Sequence, residues 1–147
     1  MHRLDLNYLS NKRQLTVEWG HCDPQGYVFN SRYYMFFDWS TVLLFHTALG
    51  MTKPQMQATF KVDIPLVQVS AQVHRPARYF DVVEIVTTIG EFGRSSFHVK
   101  HRLFNHGELA VEGEERRVWV GRDPSDGSRM LSKPIPLEVI ERFAVPA

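Results

Sequence analysis

The sequence predicts an α+β fold in which a mainly antiparallel β-sheet wraps around one long central helix, and three observations carry that prediction. The segment from about Asn30 to Leu49 is apolar on nearly every side at helical spacing, as a helix surrounded by protein must be. Beyond residue 61 the chain turns to long alternating, β-branched runs joined by short turns, the pattern of antiparallel strands. No linker, internal repeat or low-complexity tract divides the 147 residues, so a single domain, 1–147, with one sizeable core is expected.

The elements follow in order. Leu15, Val17 and Trp19 alternate with Gln14, Thr16 and Glu18, giving a strand with one buried face. Asp23-Pro24-Gln25-Gly26 then reads as a turn, because Pro fixes φ and Gly supplies a positive φ. In the helix, Tyr33, Phe36, Phe37, Ser40, Thr41, Leu44, Phe45 and Ala48 share one face, while Met35, Trp39, Val42 and Leu43 make the others apolar too. Asn30 or Ser31 is expected to cap its start, and Gly50 stands where a left-handed residue ends a helix. Thr52 and Pro54 open a short second helix to about Phe60. Four strands are expected at Val62–His74, Val82–Phe92, Ser95–Phe104 and Glu108–Val120, with Arg75-Pro76-Ala77-Arg78, Gly93-Arg94 and Asn105-His106-Gly107 as turns or bulges between them. Gly121 to Arg129 reads as a polar loop, and Pro134–Phe143 as a short terminal helix.

Composition narrows the function. The 17 basic and 16 acidic side chains nearly cancel, which removes the broad positive field of a nucleic-acid or anionic-membrane binder. A single cysteine permits no internal disulfide, the N-terminal residues lack the apolar run of a secretory signal, and no stretch approaches a membrane span. A soluble cytoplasmic protein is the expectation.

The chemistry concentrates at Gly20–Asn30, where a carboxylate sits in a turn between a strand and the start of an apolar helix. Free N–H groups at a helix start favour an anion or a developing oxyanion. Asp23 has a second reading as the opening of an Asx turn, and Asn30 as an ordinary cap. His21-Cys22-Asp23 does not read as a nucleophilic triad, since three consecutive side chains do not converge on one atom. His98 and His101 flank Lys100 with no paired-cysteine or His-Glu-x-x-His spacing, so no metal or other cofactor is expected. Asp38, among Phe36, Phe37 and Trp39, either lines the acyl site, pairs with an arginine such as Arg32 or reaches an exposed helix edge.

The run Val17-Glu18-Trp19-Gly20-His21-Cys22-Asp23-Pro24-Gln25-Gly26-Tyr27-Val28, followed by Tyr33 and Phe36-Phe37-Asp38, resembles the start of 4-hydroxybenzoyl-CoA thioesterase-like proteins of the hotdog fold. The resemblance continues through Gly93-Arg94-Ser95-Ser96-Phe97 and Arg117-Val118-Trp119-Val120, and so covers most of the chain in order. It implies an acyl-CoA thioesterase in which Asp23 attacks the thioester or activates water, while the main-chain N–H of Asn30 polarises the carbonyl. It further implies that Arg94 meets CoA phosphates, a solvated surface arginine being the other reading, while Tyr27 and Phe29 read either as flanks of the acyl group or as core aromatics. The Cys-Asp-Pro-x-Gly string and its aromatic surroundings lean toward an aryl-CoA. Hotdog enzymes share their sites between subunits, so a homo-oligomer, a dimer of dimers, is expected. Two other readings of the same fold are a non-catalytic acyl-CoA binding module and a hydratase, which would need a histidine beside the carboxylate.

Overall fold

The computed structural model describes residues 6–146. It runs β1 (Leu6–Tyr8), β2 (Ser10–Thr16), a 3-10 turn (Trp19–His21), α1 (Asn30–Leu49), α2 (Lys53–Phe60), β3 (Val62–Asp63) and β4 (Leu66–Val73). There follow β5 (Val82–Phe92), β6 (Ser96–Asn105), β7 (Glu108–Val118), β8 (Val120–Arg122), β9 (Met130–Ser132), α3 (Leu137–Phe143) and β10 (Ala144–Pro146). The main sheet has the order β2-β5-β6-β7-β4 and is antiparallel throughout; β3-β8-β9 form a second sheet, and β1 pairs with β10.

The helix α1 has the bounds its apolar pattern predicts. Gly50, at φ +67°, ends it with an N–H donated to His46 O, a left-handed closure that any Cβ would strain. Its start differs from expectation. Phe29 occupies the capping position and no side chain caps the first turn, so neither Asn30 nor Ser31 does. The expectation of burial on nearly all sides also holds for one flank only. Tyr33, Phe36, Phe37, Leu44, Phe45, Ala48 and Leu49 are buried, whereas Met35 and Trp39 are 49% and 54% exposed. The sheet covers one side of the helix, and the described residues leave Met35 and Trp39 on the other about half exposed.

Two apolar clusters pack around α1. Leu44 and Phe45 meet Phe97, Trp119, Val139 and Phe143 toward its C-terminal end. Tyr33, Phe36 and Phe37 meet Val17, Val28, Val83, Ile85, Leu103 and Val111 toward its N-terminal end. Each fully buried large side chain contributes roughly 1.5–3 kcal/mol. Gly113 belongs to this packing, because a Cβ there would collide with the Phe37 ring.

Several strand expectations are corrected. Val62–His74 is broken at Ile64-Pro65, where Pro65 lacks an N–H and its carbonyl accepts from Val118 instead. Glu108–Val120 breaks at Trp119, whose N–H goes to Ser95 O and whose carbonyl accepts from Lys133. The expected polar loop begins inside the hairpin of β8 and β9, with Gly121 opposite Leu131. Trp19 lies beyond the end of β2, exposed, with its ring edge-on to Tyr79 at 5.3 Å. Most consequentially, β4 and β5 are not hairpin neighbours: β4 forms the far edge beside β7, and residues 74–81 cross over. Two of the expected turns are hairpins: Gly93-Arg94 lies in the turn between β5 and β6, where Gly93 N–H donates to Ser96 O at 2.7 Å, and Asn105-His106-Gly107 joins β6 to β7, with His106 at φ +52° and Gly107 at +76°.

Candidate active site

The crossover braces the turn that carries Asp23. Ala77 O accepts from Val28 N–H at 2.9 Å, and Tyr79 and Phe80 N–H donate to Gly26 O and Val17 O, each at 2.8 Å. The Tyr33 hydroxyl, buried under α1, accepts from Ala77 N–H at 2.9 Å. Within the turn, Asp23 N–H donates to Tyr27 O at 2.8 Å and Phe29 N–H to His21 O at 2.9 Å, so residues 21–29 form a closed two-stranded tongue. Gly26 sits at φ +85° at its tip, the conformation for which Pro-x-Gly is suited.

Asp23 satisfies both readings of its turn. Its Oδ1 accepts from the N–H groups of Gln25 at 2.9 Å and Tyr27 at 3.1 Å, an Asx turn, while Oδ2 takes no hydrogen bond among the described residues. One oxygen orients the group and the other is available for chemistry. The tongue pairs Cys22 with Val28, which puts the Asp23 and Asn30 backbones three rungs apart, about 10 Å by the rise of a strand. Asn30 opens α1 with an N–H that no group of the helix accepts.

The neighbouring residues of the motif have structural partners. Cys22 is partly buried, with Sγ donating to Glu18 O at 3.6 Å; burial, with the charges of Asp23 and Asp81, pushes its thiol pKa up and keeps it protonated. His21 accepts from Glu18 N–H through Nδ1 at 2.9 Å and sits edge-on to Phe36. Tyr27 receives Arg78 twice, its hydroxyl accepting from Nη2 at 3.2 Å and its ring lying 5.0 Å from the guanidinium carbon. Phe29, 57% exposed, projects from the same tongue.

Asp38 does not pair with Arg32, which reaches Met35 Sδ at 3.4 Å. Its partner is Arg117, 79 residues on, whose Nη2 donates to Asp38 Oδ1 at 2.6 Å. Arg117 also donates through Nε to Glu115 Oε1 at 2.9 Å and through Nη1 to Ile64 O at 2.9 Å. Behind Glu115 the chain of bonds continues. Thr41 O–H donates to Glu115 Oε1 at 2.5 Å, His101 Nε2 lies 3.3 Å from Thr41 Oγ1, and Thr87 Oγ1 lies 2.8 Å from His101 Nδ1. With Thr41 donating to the carboxylate, His101 is assigned as the Nε2–H tautomer, its Nδ1 accepting from Thr87. Its ring stacks on Phe37, centroids 4.6 Å apart. Burial would raise the Glu115 carboxyl, but the hydrogen bonds of His101 and Arg117, with the Arg117 charge, outweigh it and bring it down to about 2. Burial lowers His101, only partly opposed by Glu115, and so keeps it neutral.

This buried network is what the sequence reading missed. A signal existed: Glu115 and Arg117 have the parity of Val111 and Gly113 in β7, the parity that is buried. Arg94 stands apart from all of it. It is exposed in the turn between β5 and β6, with its carbonyl accepting from Ile135 N–H at 2.8 Å. The tongue is tied to residues just before β5 and Arg94 follows its end, a separation of roughly 30 Å within one chain.

A model of the thioesterase-like superfamily matches residues 17–143. The chain belongs to that superfamily. Its activity is thioester hydrolysis. Among named proteins it is 29% identical over 136 residues to 4-hydroxybenzoyl-CoA thioesterase of Pseudomonas sp. (strain CBS-3), covering 87% of this chain and 93% of that protein. The solved structure of 4-hydroxybenzoyl-CoA thioesterase from that strain superposes with a TM-score of 0.82 at 27% identity, over 90% of this chain and 98% of the other. BH1999 gentisyl-coenzyme A thioesterase superposes with a TM-score of 0.76 at 28% identity, over 88% and 99%. The expected fold is therefore found: a hotdog, with α1 as the filling of the antiparallel sheet. Among the described residues no helix is long and apolar enough to cross a membrane.

Proposed function

We propose that this thioester hydrolase acts on acyl-CoA, with aryl-CoA esters such as 4-hydroxybenzoyl-CoA as preferred substrates and Asp23 as nucleophile or general base. The observation that carries this reading is the divided carboxylate of Asp23: Oδ1 is fixed by two backbone N–H groups and Oδ2 is unoccupied, in a tongue that leads directly to the uncapped start of α1. In the nucleophilic route Oδ2 attacks the thioester carbonyl carbon, and the oxyanion that forms is stabilised by the N–H of Asn30. The carbonyl re-forms as the C–S bond breaks, CoA leaves as thiolate, and water hydrolyses the resulting anhydride. In the general-base route the same oxygen takes a proton from the attacking water.

The acyl group is proposed to run from the tongue along the exposed flank of α1, past Tyr27 and Phe29 toward Asp38, about 12 Å from Asn30 by the helix rise. Met35 and Trp39 provide apolar walls, and Asp38, with its second oxygen unpartnered, a polar end suited to a hydroxyl. That preference leads to an aryl group bearing a hydrogen-bond donor.

The separation of Asp23 from Arg94 supports a shared site, in which one subunit holds the carbonyl and Arg94 of another holds CoA phosphates. The exposed Leu66, Val67 and Val73 on the free edge of β4 support pairing through that edge into a homodimer, and dimers into a tetramer. Measuring released CoA thiol across 4-hydroxybenzoyl-, benzoyl- and aliphatic acyl-CoA tests the substrate reading. Equal kcat/KM for aliphatic and aryl esters would remove the aryl claim, and no thiol release from any of them would remove the acyl-CoA claim. Light scattering tests the assembly: a stable, active monomer would refute the shared site, and a dimer alone would remove the tetramer.

A further inference from the structure

We propose that Arg117, itself held by Glu115, is a positioning residue for acyl recognition: it fixes the Asp38 carboxylate so that one oxygen faces a hydrogen-bond donor on the substrate. The inference rests on the reading that the acyl group lies along α1.

The argument starts from an asymmetry of burial. The Arg117 side chain is 4% exposed and that of Glu115 is 0% exposed, whereas Asp38 is 58% exposed. An exposed carboxylate gains little stability from an ion pair, because water already solvates it. Burying a guanidinium is costly unless every N–H finds an acceptor. Burial therefore gives Arg117 a reason to hold Glu115, Ile64 O and Asp38 alike, whereas the exposed Asp38 gains little stability of its own from the short 2.6 Å contact. What that contact does is remove freedom from a surface side chain, as recognition of a small group requires.

Charge points the same way. Glu115 and Arg117 neutralise one another in the core, and His101 is held neutral, so the cluster of Asp38, Glu115, Arg117 and His101 carries one net negative charge. That excess resides on the exposed member, whose Oδ2 has no partner among the described residues. On the same helix the side chains of Met35, one turn before Asp38, and Trp39, next to it, are exposed. A fixed anionic acceptor beside exposed apolar side chains suits an aromatic ring that carries an O–H or N–H at its far end. The rigidity is inherited from the core: Thr87, His101 and Thr41 are each hydrogen-bonded toward Glu115, so the carboxylate that anchors Arg117 is itself anchored.

The experiment compares kcat/KM for 4-hydroxybenzoyl-CoA with that for benzoyl-CoA. The double variant Glu115→Gln with Arg117→Met removes the buried pair without leaving an unpaired charge. It is expected to lower the hydroxyl-to-unsubstituted ratio by about tenfold or more, the loss of one charge-assisted hydrogen bond, while benzoyl-CoA turnover stays within a few-fold. A folded double variant with the wild-type ratio overturns the proposal, as does an equal loss on both substrates, which would mark the network as merely structural. Should the double variant not fold, Arg117→Lys keeps the charge but loses the planar fork, and a drop in the ratio of about threefold or more is expected; an unchanged ratio again overturns the proposal. A wild-type enzyme indifferent to the hydroxyl would instead remove the substrate reading itself.

Discussion

Asp23 lies just before the start of α1 and Asp38 two turns into it, and they are held in opposite ways. Asp23 is fixed by backbone N–H groups two and four residues away, inside its own turn. Asp38 is fixed by a guanidinium 79 residues away, through a network that crosses the core. Both leave one oxygen unpartnered. The local arrangement keeps its geometry as long as the turn closes, and so suits a group whose chemistry must not vary. The distant one depends on strands β6 and β7 and on the packing between them, and so, on the proposed reading, leaves selectivity open to change without touching the carboxylate proposed to react.

Breaking each site separately sharpens that contrast. Asp23→Asn retains the shape of the turn and removes the nucleophile or base; turnover of every acyl-CoA is expected to fall by about 100-fold or more while binding persists. Near-normal kcat in the folded variant would place the chemistry elsewhere. Asp38→Asn acts on one substrate class, with an expected loss of about tenfold in kcat/KM for 4-hydroxybenzoyl-CoA relative to benzoyl-CoA. Parallel losses on both esters would show that Asp38 does not read the hydroxyl. Arg94→Ala is expected to raise KM by about two- to fivefold with kcat little changed, as for an exposed charge contributing uniform binding; an unchanged KM returns Arg94 to plain surface.

The network also sets a pH signature. Glu115 has a folded pKa of about 2 against an ordinary 4.5, so its contribution to stability is full above about 4.5 and is lost as pH falls from there toward 2. His101, lowered by burial, works in the same direction at higher pH, since below its ordinary value of 6.5 the unfolded chain takes up the proton more readily. Chemical denaturation followed from pH 7 to pH 3 should show stability declining toward acid, with a flatter decline below 4.5 in Glu115→Gln. Identical slopes in the two proteins would show that the carboxylate is not the origin.

What could be read from residues alone was local. The Asp-Pro-x-Gly turn, the bounds of α1 and its glycine closure, the extent of β5 and the hairpin at Asn105–Gly107 each arise from residues a few positions apart, whose φ preferences and periodicity act within one turn or strand. The resemblance added the fold and the roles assigned to Asp23 and Asn30. Where chain-distant groups compete for the same backbone, local reasoning went astray. Arg75–Arg78 has the residues of a turn, but its neighbours 77–80 bond to Gly26, Val28 and Val17, so β4 is carried to the opposite edge of the sheet. Trp19 has the parity of a buried residue, yet β2 has ended before it.

The sequence by itself determined the helix at the centre, the strands around it and the carboxylate turn at the helix start, because propensity, periodicity and turn chemistry are properties of neighbours. Only the tertiary structure decided that Asp38 meets Arg117 rather than Arg32, that Glu115, His101, Thr41 and Thr87 lie in one buried chain of hydrogen bonds, and that Arg94 lies a full strand away from Asp23. Burying Arg117 is favourable only where acceptors from α1, β7 and the Ile64–Pro65 break converge, and that convergence exists in no segment until the sheet has closed over the helix.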